Sequence, residues 1–159
     1  MEVSIDIKNI NWENAADYVI KELQNRAQTA CKWAADELTD EARNAIDDFY
    51  GSYSPAVYGR TGGLNQSYRR YYSNKHGNII YGGVELTDSS SSYSSVLSGK
   101  GVDNAFVTSL AWFAGRHGFT EAFPDWMHIN NYPPTTSPTP HERVVKRLHE
   151  VEGKLESFF

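Results

Sequence analysis

His141 and Glu142 form the part of the sequence that comes nearest to a catalytic motif. A zinc-peptidase helix needs a second histidine four residues after the first, so that both imidazoles lie on one helix face. Val145 stands at that position, which excludes this kind of zinc site at the motif. His149 lies further along the same predicted helix, without paired carboxylates at ligand spacing nearby. Both histidines are therefore predicted to be surface residues.

Two glycine-containing segments come close to nucleotide-binding motifs, but each lacks a required residue. A phosphate-binding loop begins with glycine and places Ser or Thr after its lysine, whereas Ser94 and Gly101 occupy these two positions. A dinucleotide site needs a third glycine where Asn104 stands. No Gly-x-Ser-x-Gly elbow occurs, and the single cysteine, Cys31, excludes a disulfide framework or a Cys-based zinc cluster. The sequence predicts a non-enzyme with no catalytic residue, no cofactor and no metal.

Basic and aromatic residues alternate at one place, Tyr68 to Tyr72, as they do on single-strand nucleic-acid platforms. On a strand, Tyr68, Arg70 and Tyr72 share one face. The alternative is a cross-strand aromatic ladder with arginine lying over the tyrosine rings. The net charge of −5 favours the ladder, because proteins that bind phosphates usually carry a basic stripe.

A long helix is predicted from Trp12 to Phe49, where apolar or small residues recur about every 3.7 positions. Asn11 is expected to cap its start and Gly51 its end. At 1.5 Å per residue the helix measures roughly 57 Å, whereas a compact chain of this size is about 40 Å across. The helix therefore either bends near Thr39-Asp40 or packs its end on something else.

The rest of the chain predicts an α+β domain with an antiparallel hairpin. Strands are expected at about 64–73 and 78–87, joined by a turn at 74–77. Gly82 and Gly83 indicate a bulge or a close backbone contact. A second helix is predicted from Asp103 to Ala114, and a third, capped by Ser137 or Thr139, ends near Leu155.

Three segments of this single domain, which spans 1–159, are predicted to be irregular or peripheral. Residues 1–11 alternate Val3, Ile5 and Ile7 and are expected to form an N-terminal arm or strand. Residues 88–101 are rich in serine and are predicted to be a flexible loop. Residues 119–140 form an aromatic, proline-rich loop, long enough to be functional. No run of eighteen apolar residues occurs, so no membrane span is predicted.

An aromatic motif, F-Y-x-x-Y-x-P-x-x-Y-x-R-T-x-x-L, follows the predicted long helix. A second motif, W-x-x-G-x-H-G, begins at Trp112. With the long helix, the motifs resemble a family of minor structural proteins of long-tailed double-stranded DNA phages, over about residues 12–155. The residues predicted to contact partners are Tyr50, Tyr53, Pro55, Tyr58, Arg60, Leu64 and Trp126.

The resemblance implies a head–tail connector, neck or tail-completion component of the virion that has no catalytic activity. It implies a homo-oligomeric ring between adaptor proteins and the tail, assembled in the host bacterial cytoplasm, with no membrane partner. Genomic DNA would pass through the ring without specific binding. The alternatives are a tail-terminator or tail-tube subunit, or, from another class, a nucleic-acid-binding accessory protein that uses Tyr68 to Tyr72.

The aromatic motif also has a purely structural interpretation. Tyr50, Tyr53 and Tyr58 can pack around Pro55, and Arg60 can stack on a ring or bind the last carbonyls of the helix. The corner would then orient the hairpin, either for contact between subunits or only within the chain.

Overall fold

A computed structural model of the chain describes residues 12–52, 63–76, 79–87, 104–115 and 135–159. Within these ranges the predicted fold is confirmed: a long helix, an antiparallel hairpin, a short helix and a C-terminal helix that packs on the first. The elements are α1 (Trp12–Gly51), β1 (Tyr68–His76), β2 (Ile79–Leu86), α2 (Asn104–Ala114) and α3 (Pro140–Leu155), with 3-10 turns at Gly63–Gln66 and Glu156–Phe158.

Helix α1 is continuous for 40 residues and carries the core along its second half. It runs through Thr39-Asp40 without a break, and the Thr39 hydroxyl donates to the Ala35 carbonyl at 2.6 Å. Most buried positions belong to the predicted apolar series. They are Ala30, Ala34, Leu38, Ala42, Ala45 and Phe49, joined by Ala35 and Ile46.

Helix α1 ends two residues later than predicted, because Gly51 is its last helical residue and has no positive φ. The cap is supplied by Ser52, whose backbone N–H donates to the Asp48 carbonyl at 2.9 Å and whose hydroxyl donates to the Phe49 carbonyl at 2.7 Å. These bonds satisfy two of the carbonyls at the helix end, Asp48 and Phe49, without a left-handed glycine cap.

The hairpin pairs Tyr68 with Leu86 and Tyr72 with Gly82 in antiparallel register. The first predicted strand was placed too early: residues 63–66 form a 3-10 turn, closed by the Ser67 backbone N–H and hydroxyl, which both donate to the Leu64 carbonyl. The strand also continues to His76, through most of the predicted turn. The register shift lies between Ser73 and His76, so no bulge forms at Gly82.

Gly82 instead makes a close backbone contact, which was the predicted alternative to a bulge at this glycine. A Cβ at this position would stand 2.0 Å from the carbonyl oxygen of Cys31. Strand β2 therefore lies directly on the α1 backbone, and only glycine fits there.

Helix α3 packs along α1 and begins at a well-formed cap. The Thr139 hydroxyl accepts the Glu142 backbone N–H at 3.2 Å, while the Glu142 carboxylate accepts the Thr139 N–H at 2.8 Å. Pro140 stands at the first helical position, where its missing N–H costs nothing. Thr139, one of the two predicted caps, is confirmed, and the predicted 119–140 loop therefore ends before Pro140.

The predicted segments 1–11 and 88–101, with 119–134 of the long loop, lie outside the described residues. None of the described helices is both long and apolar enough to cross a membrane.

Candidate functional site

The two ends of the aromatic motif meet in the described structure. The backbone N–H of Leu64 donates to the Tyr50 hydroxyl at 3.1 Å, and the Leu64 side chain is fully buried. The Tyr50 ring packs edge-on against Phe49, with the centroids 6.1 Å apart. Tyr50 and Leu64 therefore form a corner within the chain that fixes where the hairpin begins relative to α1.

The remaining predicted contact residues lie outside the described part of the chain. They are Tyr53, Pro55, Tyr58, Arg60 and Trp126.

The second motif joins this corner through a buried hydrogen-bond chain. The Trp112 indole N–H donates to the Ser67 hydroxyl at 2.8 Å, and that hydroxyl donates to the Leu64 carbonyl at 2.6 Å. Trp112 and Ser67 are both buried, and Tyr68 packs edge-on against the indole at 5.9 Å. Ser67 was missed by the sequence reasoning, because a serine in a predicted strand gives no sign that its hydroxyl is buried.

Gly115 of the second motif ends α2 in the left-handed conformation, with φ at 60°. Its carbonyl accepts the Thr136 N–H at 2.8 Å, and an added Cβ would stand 2.3 Å from the Thr136 carbonyl oxygen. This glycine therefore ties the end of α2 to the segment that leads into α3. The described residues of both motifs therefore take part in packing within the chain.

Tyr68, Arg70 and Tyr72 share one hairpin face as predicted, but that face is turned toward α1. Arg70 forms an ion pair with Asp36, and Lys32 lies over the Tyr72 ring at 5.4 Å. Burial raises the pKa of the Tyr68 phenol. This face is not an open stacking platform, because its rings and its arginine are used in contacts with helices.

The outer hairpin face, which comprises Arg69, Tyr71, Ile79, Tyr81 and Glu85, is turned away from α1. Arg69 and Glu85 are directly opposite in the register and form an ion pair. Tyr71 and Tyr81 retain 37% and 42% of their accessible surface, and Ile79 retains 55%. The aromatic and aliphatic area displayed here is typical of surfaces that proteins bind.

The first half of α1 is a second exposed apolar surface. Val19, Ile20 and Leu23 retain 53%, 53% and 48% of their accessible surface, although large aliphatic residues are usually buried. Val19 and Leu23 continue the predicted apolar series whose later members are buried by the hairpin and α3. Burial along α1 therefore decreases from its second half toward its first half, while the overhang of α1 beyond the domain stays a prediction.

Arginines of α3 bind acidic residues of α1 along the second half of that helix. Arg143 pairs with Glu41 at 2.8 Å and also with Asp48. Burial opposes the positive charge of Arg143, but its hydrogen bonds to Asp48 and Glu41 outweigh this and raise its pKa. Arg147 pairs with Glu37 one turn further along. These pairs set the orientation of α3 on α1.

The side chains of His141, His149 and Cys31, which could take part in chemistry, also make contacts within the chain. The His141 ring packs against Phe113 with the centroids 4.7 Å apart, and His149 lies 3.2 Å from Glu152. The Cys31 thiol donates to the Ile80 carbonyl at 3.6 Å, and burial raises its pKa. Among the described residues, no three His, Cys, Asp or Glu side chains are grouped as a metal site.

Comparisons with protein-family models, curated proteins and solved structures give no match to this chain.

Proposed function

We propose that this protein is a structural, non-enzymatic component of the virion of a long-tailed phage, placed at the head–tail junction. It assembles there as a ring of identical subunits through which the genomic DNA passes. The observation that supports assembly is the exposed apolar surface at Val19, Ile20 and Leu23, in the first half of α1. The aromatic motif and the second motif support the kind of assembly, through their resemblance to phage minor structural proteins.

The packing of the motifs fits a rigid ring subunit. Hydrogen bonds of 2.6–3.1 Å connect α1, the 3-10 turn that precedes β1, and α2, through Tyr50, Leu64, Ser67 and Trp112. Such a connected and buried set holds the elements in one arrangement. A ring needs this rigidity, because small errors in subunit orientation accumulate around the circle and prevent closure.

The geometry gives less support to the nucleic-acid-binding alternative. Arg69 is paired with Glu85 and Arg70 with Asp36, so each positive charge of the predicted platform has a carboxylate beside it. Together with the net charge of −5, this favours a protein that does not hold DNA tightly. Such a surface suits a channel subunit, because DNA must move past it.

The location of the protein in phage particles tests this proposal. Purified particles of the phage that encodes the chain are analysed by peptide mass spectrometry and labelled with a gold-conjugated antibody for electron microscopy. We expect the protein in the particles, with label confined to the junction of head and tail. Label along the whole tail would instead support the tail-tube alternative. Absence from particles would contradict the proposal.

A binding assay tests the DNA-related part separately. Single-stranded DNA is titrated at low salt, and we expect no affinity tighter than the weak non-specific range, about 10⁻⁴–10⁻⁶ M. Submicromolar binding that is lost in Arg69→Ala and Arg70→Ala would support the accessory-protein alternative instead.

A further inference from the structure

We propose that the N-terminal arm, residues 1–11, folds back along α1 and covers its aliphatic stripe, namely Val19, Ile20 and Leu23. This is a contact within one chain, so it goes beyond the proposed function. The arm joins α1 at Trp12, and the stripe begins at Val19, about 10 Å further along the helix axis. The arm therefore starts beside the surface that it covers.

The stripe continues the side of α1 that α3 covers. Val19 lies eighteen residues before Glu37, and this separation is repeated between Leu23 and Glu41. Eighteen residues make about five helical turns, so the members of each pair point in the same direction from the helix axis. Glu37 and Glu41 both bind arginines of α3, whereas the 3-10 turn after α3 meets α1 at Trp33. The stripe is thus continuous with the face under α3, and α3 ends before it.

The apolar residues of the arm have a spacing that fits the stripe. Val3, Ile5 and Ile7 alternate with other residues, so an extended chain presents all three on one side. Every second residue of an extended chain advances about 6.7 Å, and every fourth residue of a helix advances about 6 Å. After a reversal of about three residues, Ile5 lies level with Val19, and Val3 lies level with Leu23. The aliphatic side chains of the arm and of α1 therefore meet in pairs.

Two other segments of the chain are too short to reach the stripe and return. Residues 53–62 follow Ser52 at the end of α1, and residues 116–134 start and end beside Thr136, whose hydroxyl lies 3.2 Å from that of Ser52. Leu23 is about 44 Å from this end of the helix. A loop of nineteen residues that starts and ends there extends at most about 35 Å outward. Neither segment can therefore cover Leu23.

Residues 88–103 fit the stripe less well than the arm does. They follow Thr87, which bonds to the carbonyls just before Tyr68, and Tyr68 packs on the core that contains Ala42. Ala42 is about 28 Å from Leu23, so these sixteen residues would have to be almost fully extended in both directions. They are also rich in serine and have no alternating apolar side. The arm is the segment whose position and pattern both match.

Covalent attachment makes this small contact effective within one chain. A short connection gives the arm an effective concentration on the order of millimolar at the stripe. Ordering the arm costs backbone entropy at each residue, so the contact is weak and reversible. The arm can leave the stripe while the domain stays folded. A substitution in the stripe therefore changes the arm contact more than it changes the stability of the domain.

The arm and a partner molecule compete for the stripe, because both cannot cover it at once. This step rests on the proposed function, in which the stripe supports assembly. A partner that covers a larger apolar area than the arm displaces it, since apolar stabilisation grows with the area buried. The arm thus shields the stripe in the free subunit and limits association without the correct partner.

Disulfide formation within one chain tests the contact directly. Cys31→Ser gives a cysteine-free background, into which Ile5→Cys and Val19→Cys are introduced together. Dilute protein is oxidised by air with copper–phenanthroline, and mass spectrometry follows the disulfide within the monomer. The matched control combines Ile5→Cys with Tyr18→Cys, because Tyr18 is 70% exposed against 53% for Val19 but lies outside the stripe. We expect the Val19 pair to react about tenfold faster, since a disulfide needs Cβ atoms about 4 Å apart.

The other outcomes of this experiment overturn the inference. Equal rates for the Val19 and Tyr18 pairs would show that the arm does not favour one side of α1. Disulfides formed only between molecules would show that a second copy meets the stripe. Absence of any disulfide, in proteins whose thiols react with a maleimide, would place the arm elsewhere. Detection of the protein in phage particles does not depend on these rates, so failure of the arm contact is distinguishable from failure of the proposed function.

A second experiment measures how well the arm shields the stripe. Leu23→Cys is introduced into the Cys31→Ser background, and its reaction with a maleimide is followed with Ile5→Asp or Ser4→Asp present in the arm. Ser4 lies on the other side of an extended arm, and both substitutions add the same charge. The thiol should react about threefold faster with Ile5→Asp, because the released arm no longer covers it. Equal rates in the two proteins would overturn the inference, and circular dichroism verifies that both remain helical.

Discussion

Alanine substitutions at two glycines should change stability in opposite directions. At Gly82 a Cβ would lie 2.0 Å from the Cys31 carbonyl oxygen and 2.7 Å from its carbonyl carbon, and both are backbone atoms that cannot rotate away. Restoring an ordinary separation of about 3.2 Å requires β2 and α1 to move apart by about 1 Å, and a gap of this size forfeits a quarter to a half of each dispersion contact. At Gly153, inside α3, nothing lies within 4 Å of the added Cβ.

We expect Gly82→Ala to lower the free energy of unfolding by about 3 kcal/mol, the upper end of the usual cost of overpacking a core. The stiffer unfolded chain recovers only about 0.5–1 kcal/mol of this. Gly153→Ala should raise the free energy of unfolding by about 1 kcal/mol, the difference in helix propensity between the two residues. Urea unfolding followed by circular dichroism and tryptophan fluorescence measures both.

The contrast between the two glycines makes this reasoning refutable. A Gly82→Ala protein with wild-type stability would show that α1 and β2 are not in backbone contact, and the packing described for the hairpin would be wrong. Destabilisation by Gly153→Ala would show that the outer side of α3 is covered. Both comparisons require cooperative unfolding, and the free energy of unfolding must fall with urea concentration at the same slope in the variant and in the wild type.

Three further substitutions test the buried hydrogen bond at Ser67, the ion pair of Arg147 with Glu150, and the exposure of Leu23 in the first half of α1. Ser67→Ala leaves a buried indole N–H without its acceptor and should cost about 1–3 kcal/mol in urea unfolding; wild-type stability would contradict that bond. The hydrogen bond from Arg147 lowers the pKa of Glu150, so its stabilising effect is present above the unfolded pKa and is lost as pH falls through the folded pKa. Stability should therefore fall less between pH 5 and pH 3 in Arg147→Met than in the wild type, and equal losses would contradict this. Leu23→Ala should change the stability of the dilute protein by less than about 0.5 kcal/mol, against about 2–5 kcal/mol for the buried Leu38→Ala; equal effects would show that Leu23 is covered within the chain.

Local signals in the sequence were sufficient for the helices. The apolar spacing of about 3.7 predicts α1, and Thr139, one of the two predicted caps, starts α3. Caps and periodicity can be predicted because they act within a few residues. The boundary of β1 was missed, since Leu64 is drawn into the core by α1 and α2 and closes a 3-10 turn instead of extending a strand. That choice depends on tertiary contacts, which no short window of sequence contains.

The candidate site was predicted only in part. Tyr50 and Leu64 were selected as contact residues, and they contact each other at a corner within the chain, while their contact with a partner stays a prediction. The exposed tyrosines Tyr71 and Tyr81 were not selected individually, because a strand pattern does not tell which face another element will cover. The ion pair between Arg70 and Asp36 of α1 shows which face of the hairpin is turned toward that helix.

The predicted length of α1 carried the most information about function. The same apolar period runs through both halves of the helix, yet Leu38 is buried while Leu23 is about half exposed. Sequence periodicity therefore shows which face of a helix is apolar, but not what covers it. Comparison of the roughly 57 Å helix with the roughly 40 Å domain supplies the missing step, because a helix longer than its domain cannot be covered along its whole length by that domain's compact core. The exposed aliphatic side chains of Val19, Ile20 and Leu23 are therefore the observation from which we propose contact with another molecule.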